Sequence, residues 1–214
     1  MSELKCGHHE QEIRRGDSLS VKNYTVEICE RKEIKDFIEE WHYSHSINGL
    51  MSDYCFKLMD GDKLIGAMIY GRMAMANVWK KYGEKKEDSI ELRRLCCIDD
   101  TPKNTESYFI GQTMKWLIKN TKIKTVVSYA DPEYDHEGII YQATNFDMIG
   151  KTSVGRVIMF NGRKYHDKSI RTKYKGELKP FAKKIKNALD EGEAYYKKTK
   201  GKYIYVYDLD KRRK

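Results

Sequence analysis

The sequence predicts an α/β fold: a mixed central sheet flanked by helices, with a basic helix/strand extension at the C-terminal end. Three observations predict it. The periodicities run strand, helix, three strands, helix, strand, helix, strands, an order typical of a mixed sheet covered by helices. The stretch "IKTVVSYAD" at 123–131 has the apolar run of a buried central strand and turns polar abruptly at Asp131. The charge is lopsided, because residues 151–214 hold 20 Lys+Arg against 7 Asp+Glu, a balance of +13, which leaves −4 on residues 1–150 of a chain with net charge +9.

Residues 1–20 lack periodicity and are expected to be a flexible lead-in. "VKNYTVEICE" follows as a strand, and "RKEIKDFIEEWHY" as an amphipathic helix with Ile34, Phe37, Ile38 and Trp41 at spacings of three and four. After the polar loop "SHSING", "DYCFKLMDGDKLIGAMIYG" alternates around Asp60-Gly61 as a hairpin, with Tyr54, Phe56 and Leu58 on one face. "SIELRRLCCID" is a strand, and "NTESYFIGQTMKWLIKN" a helix capped by Asn104 or Thr105. Then come the apolar strand, a short helix in "GIIYQATNF", and a hairpin about Asn161-Gly162 in "VGRVIMFNGRKY". "FAKKIKNALDEGEAYYKK" is predicted to be a helix and "KYIYVYDLDKRRK" a strand, so the main domain is placed at 21–178 and the basic, tyrosine-rich extension at 179–214.

A chain of 214 residues with 40% hydrophobic content can build one sizeable core. No run of about 18 apolar residues exists, and the polar N-terminus is unlike a secretory signal, so a cytoplasmic protein without a membrane partner is expected. Five scattered cysteines, two of them adjacent, indicate reduced thiols. The cationic C-terminal stretch attracts polyanions by counterion release, and its interleaved Tyr165, Tyr174, Tyr195, Tyr196, Tyr203, Tyr205 and Tyr207 offer faces on which bases could stack.

Ligands of mixed α/β sheets sit beyond the carboxyl ends of central strands, which directs attention to three segments. In "WHYSHS", His42 and His45 follow the first helix; their spacing could bring both rings together or hold a metal, and a helix-terminal pair favoured by the dipole is the structural alternative. In "ELRRLCCIDDTPKNTES", Arg93 and Arg94 face opposite ways, and the inward guanidinium requires an anionic partner, for which Asp131 or a bound anion could serve. Pro102, Asn104 and Thr105 shape the start of the next helix, where free N–H groups would welcome a cofactor phosphate or a developing oxyanion, with Ser107 in the first turn. Asp131 could act as general base and Tyr141 as donor to a leaving group, whereas Asp135 and His136 are expected in a solvated loop. His8, His9 and Cys6 belong to the polar lead-in.

His42 in "HYSHS", Arg94 in "RLCCIDDTPKNTES", Asp131 in "SYAD" and Tyr141 in "GIIYQATNF" together resemble the Mom-type DNA adenine-modification proteins of bacteriophages, members of the GNAT acyltransferase superfamily. The resemblance runs from about Trp41 to Lys151, and through "KYHDKSIRTKY". It implies a GNAT fold with a splayed central sheet, and a transferase that places a small methylcarbamoyl-type group on adenine N6 in double-stranded DNA, shielding phage DNA from host restriction. It also implies an active site containing His42, Arg94, Ser107, Asp131 and Tyr141. The superfamily's pyrophosphate loop is replaced by "RLCCIDDTPKN", so the donor is left open between acetyl-CoA and another acyl-type compound. Adenine N6 is a weak nucleophile and is paired in a duplex, so the base must leave the stack. Arg163, Lys164, Arg171, Lys173 and Lys175 are the expected DNA contacts. An acetyltransferase acting on a protein or small molecule, and a non-catalytic nucleic-acid binder, are the competing readings.

Overall fold

The computed structural model describes residues 20–75 and 77–213. In chain order these form β1 (Thr25–Cys29), α1 (Arg31–Trp41), β2 (Tyr54–Asp60), β3 (Lys63–Gly71), β4 (Ser89–Cys97), α2 (Thr105–Asn120), β5 (Thr125–Ala130), α3 (Ile139–Ala143), β6 (Asp147–Lys151), β7 (Arg156–Phe160), β8 (Arg163–His166), β9 (Lys173–Tyr174), β10 (Glu177–Leu178), α4 (Pro180–Asp190), β11 (Tyr195–Lys198), β12 (Tyr203–Asp208) and α5 (Asp210–Arg213). No helix among the described residues is long and apolar enough to cross a membrane.

Seven strands form the main sheet in the order β1-β2-β3-β4-β5-β12-β6. Every neighbouring pair is antiparallel except β4 and β5. Alternation along β2 divides the core: Phe56 and Leu58 face a cluster that includes Phe109, Ile110, Met114 and Leu117 of α2. Cys55 faces the opposite cluster, which holds Ile34 and Ile38 of α1 with Ala67 and Ile69 of β3. The apolar stripe read from α1 therefore buries one face of the sheet and α2 the other. At the start of α1, the Glu30 N–H donates to the Glu33 carboxylate at 2.7 Å, satisfying a donor that the first turn would leave unpaired.

The parallel pair opens partway along its length. β4 and β5 are in register from Ser89 opposite Thr125 to Leu92 opposite Ser128. β4 then continues to Cys97 while remaining paired with β3, as far as Gly66 opposite Cys97. At the point of separation the β3–β4 register slips: Ile69 faces Arg94 and Tyr70 faces Leu92, leaving Arg93 as the extra residue of a bulge. A bulge bends and twists its strand, and this one turns β4 away from β5, producing the splay.

The C-terminal stretch is arranged differently from the appended extension expected at 179–214. β12 lies inside the main sheet, hydrogen-bonded to β5 on one side and β6 on the other. Between the neighbours β6 and β12 the chain makes an excursion, in which β11, β7 and β8 form a separate three-stranded sheet. Ile158 and Phe160 of this sheet pack on Ile185 and Ala188 of α4 and on Ala194, giving the excursion its own small core. The helix expected over 181–198 stops at Asp190, because Gly192 takes a left-handed φ of +79° and sends the chain into β11. Residues 152–202 carry 15 Lys+Arg against 5 Asp+Glu, so the basic charge belongs to this insertion. Its neck is closed by Thr152 N–H to the Lys202 carbonyl at 2.8 Å and Thr199 N–H to the Gly155 carbonyl at 3.0 Å.

Gly138 precedes α3 at φ +81°, and a Cβ there would overlap the Tyr205 ring. Gly138→Ala is expected to lower stability by about 1–3 kcal/mol through strain and collision. Gly111, inside α2 with no neighbour within 4 Å of a Cβ position, provides the contrast: Gly111→Ala should raise stability by roughly 0.5–1 kcal/mol. Thermal unfolding followed by circular dichroism measures both.

Candidate active site

The splay between β4 and β5 opens into a cleft of about 460 Å³. One wall is β4 from Leu92 to Cys97; the other is the end of β5 with the following turn and α3; the end of α1 closes a third side. Of the five residues expected to form an active site, His42, Arg94, Asp131 and Tyr141 all line this cleft. Ser107 does not, and its neighbour Glu106 faces the cleft instead.

His42 is the residue at which α1 ends, and it is 5% exposed. Burial, with Arg94, His136 and His45 adding unfavourable charge, lowers its pKa to about 4, so the ring is neutral near pH 7. Its Nδ1 accepts the Ser44 backbone N–H at 3.1 Å. Nδ1 also lies 2.9 Å from the Ser44 hydroxyl, which has the Ser46 carbonyl at 3.3 Å as a second partner. The lowered pKa runs against a charged imidazolium held by the helix dipole. His45 turns away with φ 44°, its Nδ1 lying 2.9 Å from the Glu39 carbonyl oxygen, so the two histidines do not form a pair in the cleft.

Arg93 and Arg94 are both half-buried and both line the cleft rather than facing opposite ways, because Arg93 is the extra residue of the bulge. The hydrogen bonds of Arg94 go to carbonyls, Nη1 to Arg93 O at 2.7 Å and Nη2 to Ser46 O at 3.2 Å. The anticipated partnership with Asp131 is not formed. Asp131 Oδ2 is ion-paired with Lys202 Nζ at 2.9 Å, and Oδ1 accepts the Glu133 N–H at 3.1 Å. Lys202 lies at the neck of the basic insertion, so this contact is set by the excursion between β6 and β12. Arg93 in turn pairs with Glu91 at 3.4 Å. A carboxylate offers about four lone-pair directions, and Asp131 retains capacity toward the cleft.

Tyr141 projects from α3 and packs on Phe146 and Tyr205, with ring centroids 5.5 and 5.2 Å away. Burial raises its hydroxyl to about 12, against the opposing hydrogen bond with Ser128. It stays protonated at neutral pH and is available as a donor. Cys96 and Cys97 also face the cleft. Burial pushes both thiols up, Cys96 to about 12, so neither supplies a thiolate nucleophile at neutral pH.

The cleft thus joins a carboxylate, a protonated phenol, a neutral imidazole and a guanidinium at an opened parallel strand pair, beside a cationic insertion. A model of the Mom protein family matches residues 23–214. The chain belongs to the Mom protein family. The methylcarbamoylase mom of Escherichia phage Mu is 27% identical over 150 residues, covering 68% of this chain and 61% of that protein, so the match spans less than two thirds of the relative's length. Among solved structures, Arabidopsis thaliana NAA60 in complex with acetyl-CoA superposes with a TM-score of 0.50 at 9% identity, covering 87% of this chain and 99% of that one. That likeness is one of fold: this Mom-family chain has a GNAT-like splayed sheet.

At the start of α2, this Mom-family chain departs from the cofactor-binding expectation for one of its two residues. Asn104 takes a left-handed φ of 73° and makes no side-chain cap bond, while Thr105 is fully buried and its hydroxyl donates to the Pro102 carbonyl at 2.7 Å. Thr105 is thereby occupied, and Asn104 alone of the pair is solvent-facing. Cys6, His8 and His9 lie outside the described residues, and among those described no group of three or more His, Cys, Asp and Glu is placed to hold a metal.

Several residues at the rim were not anticipated from the sequence. Asp135 and His136 are exposed, as expected of a solvated loop, yet that loop borders the cleft. Tyr43 packs on His42, Tyr134 and His136, at centroid distances of 4.2, 4.5 and 5.1 Å. Of the expected DNA contacts, Arg163, Lys164, Arg171, Lys173 and Lys175 are all exposed on the insertion. Lys164 also reaches the rim, its ammonium 5.0 Å from the Tyr134 ring centre and 3.9 Å from the Glu133 carboxylate. Arg171 is paired with Asp167 at 3.4 Å. The available signals were the aromatic neighbours in "HYSH" and "DPEYDH", each next to a residue already singled out.

His42 carries a pH signature. Its pKa is about 4 when folded against 6.5 for the free side chain, so on acidification the unfolded chain takes up the proton first. Its contribution makes stability highest above about pH 6.5 and erodes it as pH falls toward 4. The melting temperature of His42→Gln is expected to decline less between pH 7 and pH 4.5 than that of the native chain; parallel declines would contradict the assignment.

Proposed function

We propose that this chain is a DNA-modifying transferase that adds a small methylcarbamoyl-type group to the exocyclic N6 of adenine, acting on phage DNA in the host cytoplasm and protecting it from restriction. The single observation that carries the reading is the convergence of His42, Arg94, Asp131 and Tyr141 on one cleft, with the neck of the cationic insertion joined to Asp131 through Lys202. Family membership and the Mu relative support the same reading.

The free edge of β4 beyond Leu92 bears on the donor. Its backbone groups on the side facing β5 have no strand partner there, and an extended donor arm containing amides can bond to such an edge. The turn that follows suits a diphosphate poorly: residues 98–104 contain Asp99 and Asp100 and no glycine, and Glu106 faces the cleft. The residues therefore fit an acyl-type donor through its arm, without a dedicated diphosphate loop. Such a donor, when bound, supplies an activated carbon.

Asp131 accepts a hydrogen bond from the N6 amine and takes its proton as the bond from N6 to the transferred group forms. As the donor bond breaks, the electron pair stays on the leaving atom, and Tyr141 supplies that atom's proton. The neutral ring of His42 and the guanidinium of Arg94, both lining the cleft, are the groups that would donate to oxygen charge developing in between. Base release from the duplex costs a few kcal/mol, which phosphate contacts to the insertion offset.

Asp131→Asn and Tyr141→Phe are each expected to lower modified adenine by roughly 10²–10⁴-fold, measured by nucleoside analysis of DNA from producing cells. Abundant soluble native protein that yields no modified adenine sinks the reading.

DNA affinity should weaken by at least about tenfold between 50 and 200 mM salt, as expected when several phosphate contacts release counterions. Because β12 completes the main sheet, charge reversal on the insertion is a cleaner probe than truncation. Arg163→Glu with Lys173→Glu should flatten the salt slope, by about one unit for each phosphate no longer neutralised. Native-like binding with an unchanged slope would place the DNA-binding surface elsewhere.

A further inference from the structure

Two tyrosine rings beside the cleft are left nearly half exposed: Tyr43, which lines it, at 42%, and Tyr134, which packs on Tyr43, at 43%. They come from different parts of the chain. Tyr43 follows the last turn of α1, and Tyr134 closes the single 3-10 turn Pro132–Tyr134 immediately after Asp131. Their centroids lie 4.5 Å apart, with planes inclined by 38°. On the inner side Tyr43 continues into His42 at 4.2 Å; on the outer side Tyr134 lies beneath the Lys164 ammonium at 5.0 Å. A row of aromatic rings therefore leads from the buried histidine to a cation on the basic insertion.

Exposed tyrosines of this kind contribute little to the folded chain as they stand, since neither belongs to any of the three apolar cores. The neighbourhood selects the ligand chemistry. A planar π-face takes a base, and an ammonium beside it takes the phosphate of the same strand. The inner end of the row is His42, which lines the cleft, and Tyr134 follows Asp131 by three residues, so a base stacked on the outer ring is held at the approach to the cleft. A protein side chain or small amine would not need the adjoining phosphate site.

We infer that Tyr134, with Tyr43 behind it, is the stacking platform for the unpaired nucleobase, and that Lys164 holds the flanking phosphate. Tyr134 is accordingly a positioning residue, which touches the base without taking part in proton transfer. In the free protein Lys164 covers the ring and is balanced by Glu133 at 3.9 Å; strand entry transfers the ammonium to phosphate and uncovers the face. The inference rests on nucleic acid being the substrate, and it adds how the base is recognised.

The test compares two short single-stranded oligonucleotides of equal length and charge, one of deoxyadenosine and one of abasic deoxyribose, by fluorescence anisotropy at fixed salt. The native chain is expected to prefer the adenine strand by about tenfold, the scale of one base–aromatic stack. Tyr134→Ala should abolish the preference while leaving abasic-strand affinity and its salt slope unchanged, and Tyr134→Phe should retain it. No preference in the native chain, a preference that survives Tyr134→Ala, or its loss in both variants overturns the inference. Nucleoside analysis separates the two readings: an intact base preference without any modified adenine in cells leaves the platform standing and removes the transfer chemistry.

Discussion

The separation of β4 from β5 after Leu92 and Ser128 is the constraint on which the remainder depends. A parallel pair normally continues until one strand ends, and here β5 runs on only to Ala130. What parts the strands is the extra residue Arg93, which slips the β3–β4 register and bends β4. Each strand keeps its outer partner, β3 on one side and β12 on the other, so the opening does not unravel the sheet. The result is a cleft walled by regular structure, which holds side chains more rigidly than loops would.

Desolvation then sets the protonation of what lines that cleft. The same burial lowers His42 to about 4 and raises Tyr141 to about 12. Both groups consequently carry one defined proton state across the neutral range, each as a neutral hydrogen-bond donor. Cys96 and Cys97, adjacent and inside the same cleft, are silenced by the same effect. Asp131, also lining the cleft, is ion-paired at 2.9 Å with Lys202 from the neck of the insertion.

That ion pair also links binding with the proposed chemistry. The basic unit is an excursion between two hydrogen-bonded neighbours, β6 and β12, so both its ends are anchored in the main sheet. Lys164 and Lys202 both meet the short turn after β5, one at Glu133 and Tyr134 and the other at Asp131. A polyanion on the insertion competes with these carboxylates for the same ammonium groups. Under the proposed function, loading of DNA and release of Asp131 would be coupled by charge, across one turn of chain.

The sequence by itself determined the local elements and the chemistry at their ends. Spacing of Ile34 and Ile38 fixed α1, alternation about Gly61 fixed the first hairpin, and the apolar run into Asp131 fixed β5 with a functional group at its mouth. These follow from short-range periodicity and turn chemistry, which a single chain displays directly. His42 and Asp131 were singled out because they stand at element boundaries, after α1 and after β5, whereas Arg94 lies inside β4 and Tyr141 inside α3. Tertiary structure decided the partners. Which carboxylate met which cation depended on the excursion that brings Lys202 to Asp131, a contact between residues 71 positions apart. Whether residues 203–208 were appended or inserted depended on strand order, on which alternating tyrosines are silent. The row of Tyr43 and Tyr134 joined two segments that no local pattern relates, because long-range register and burial are properties of the folded chain.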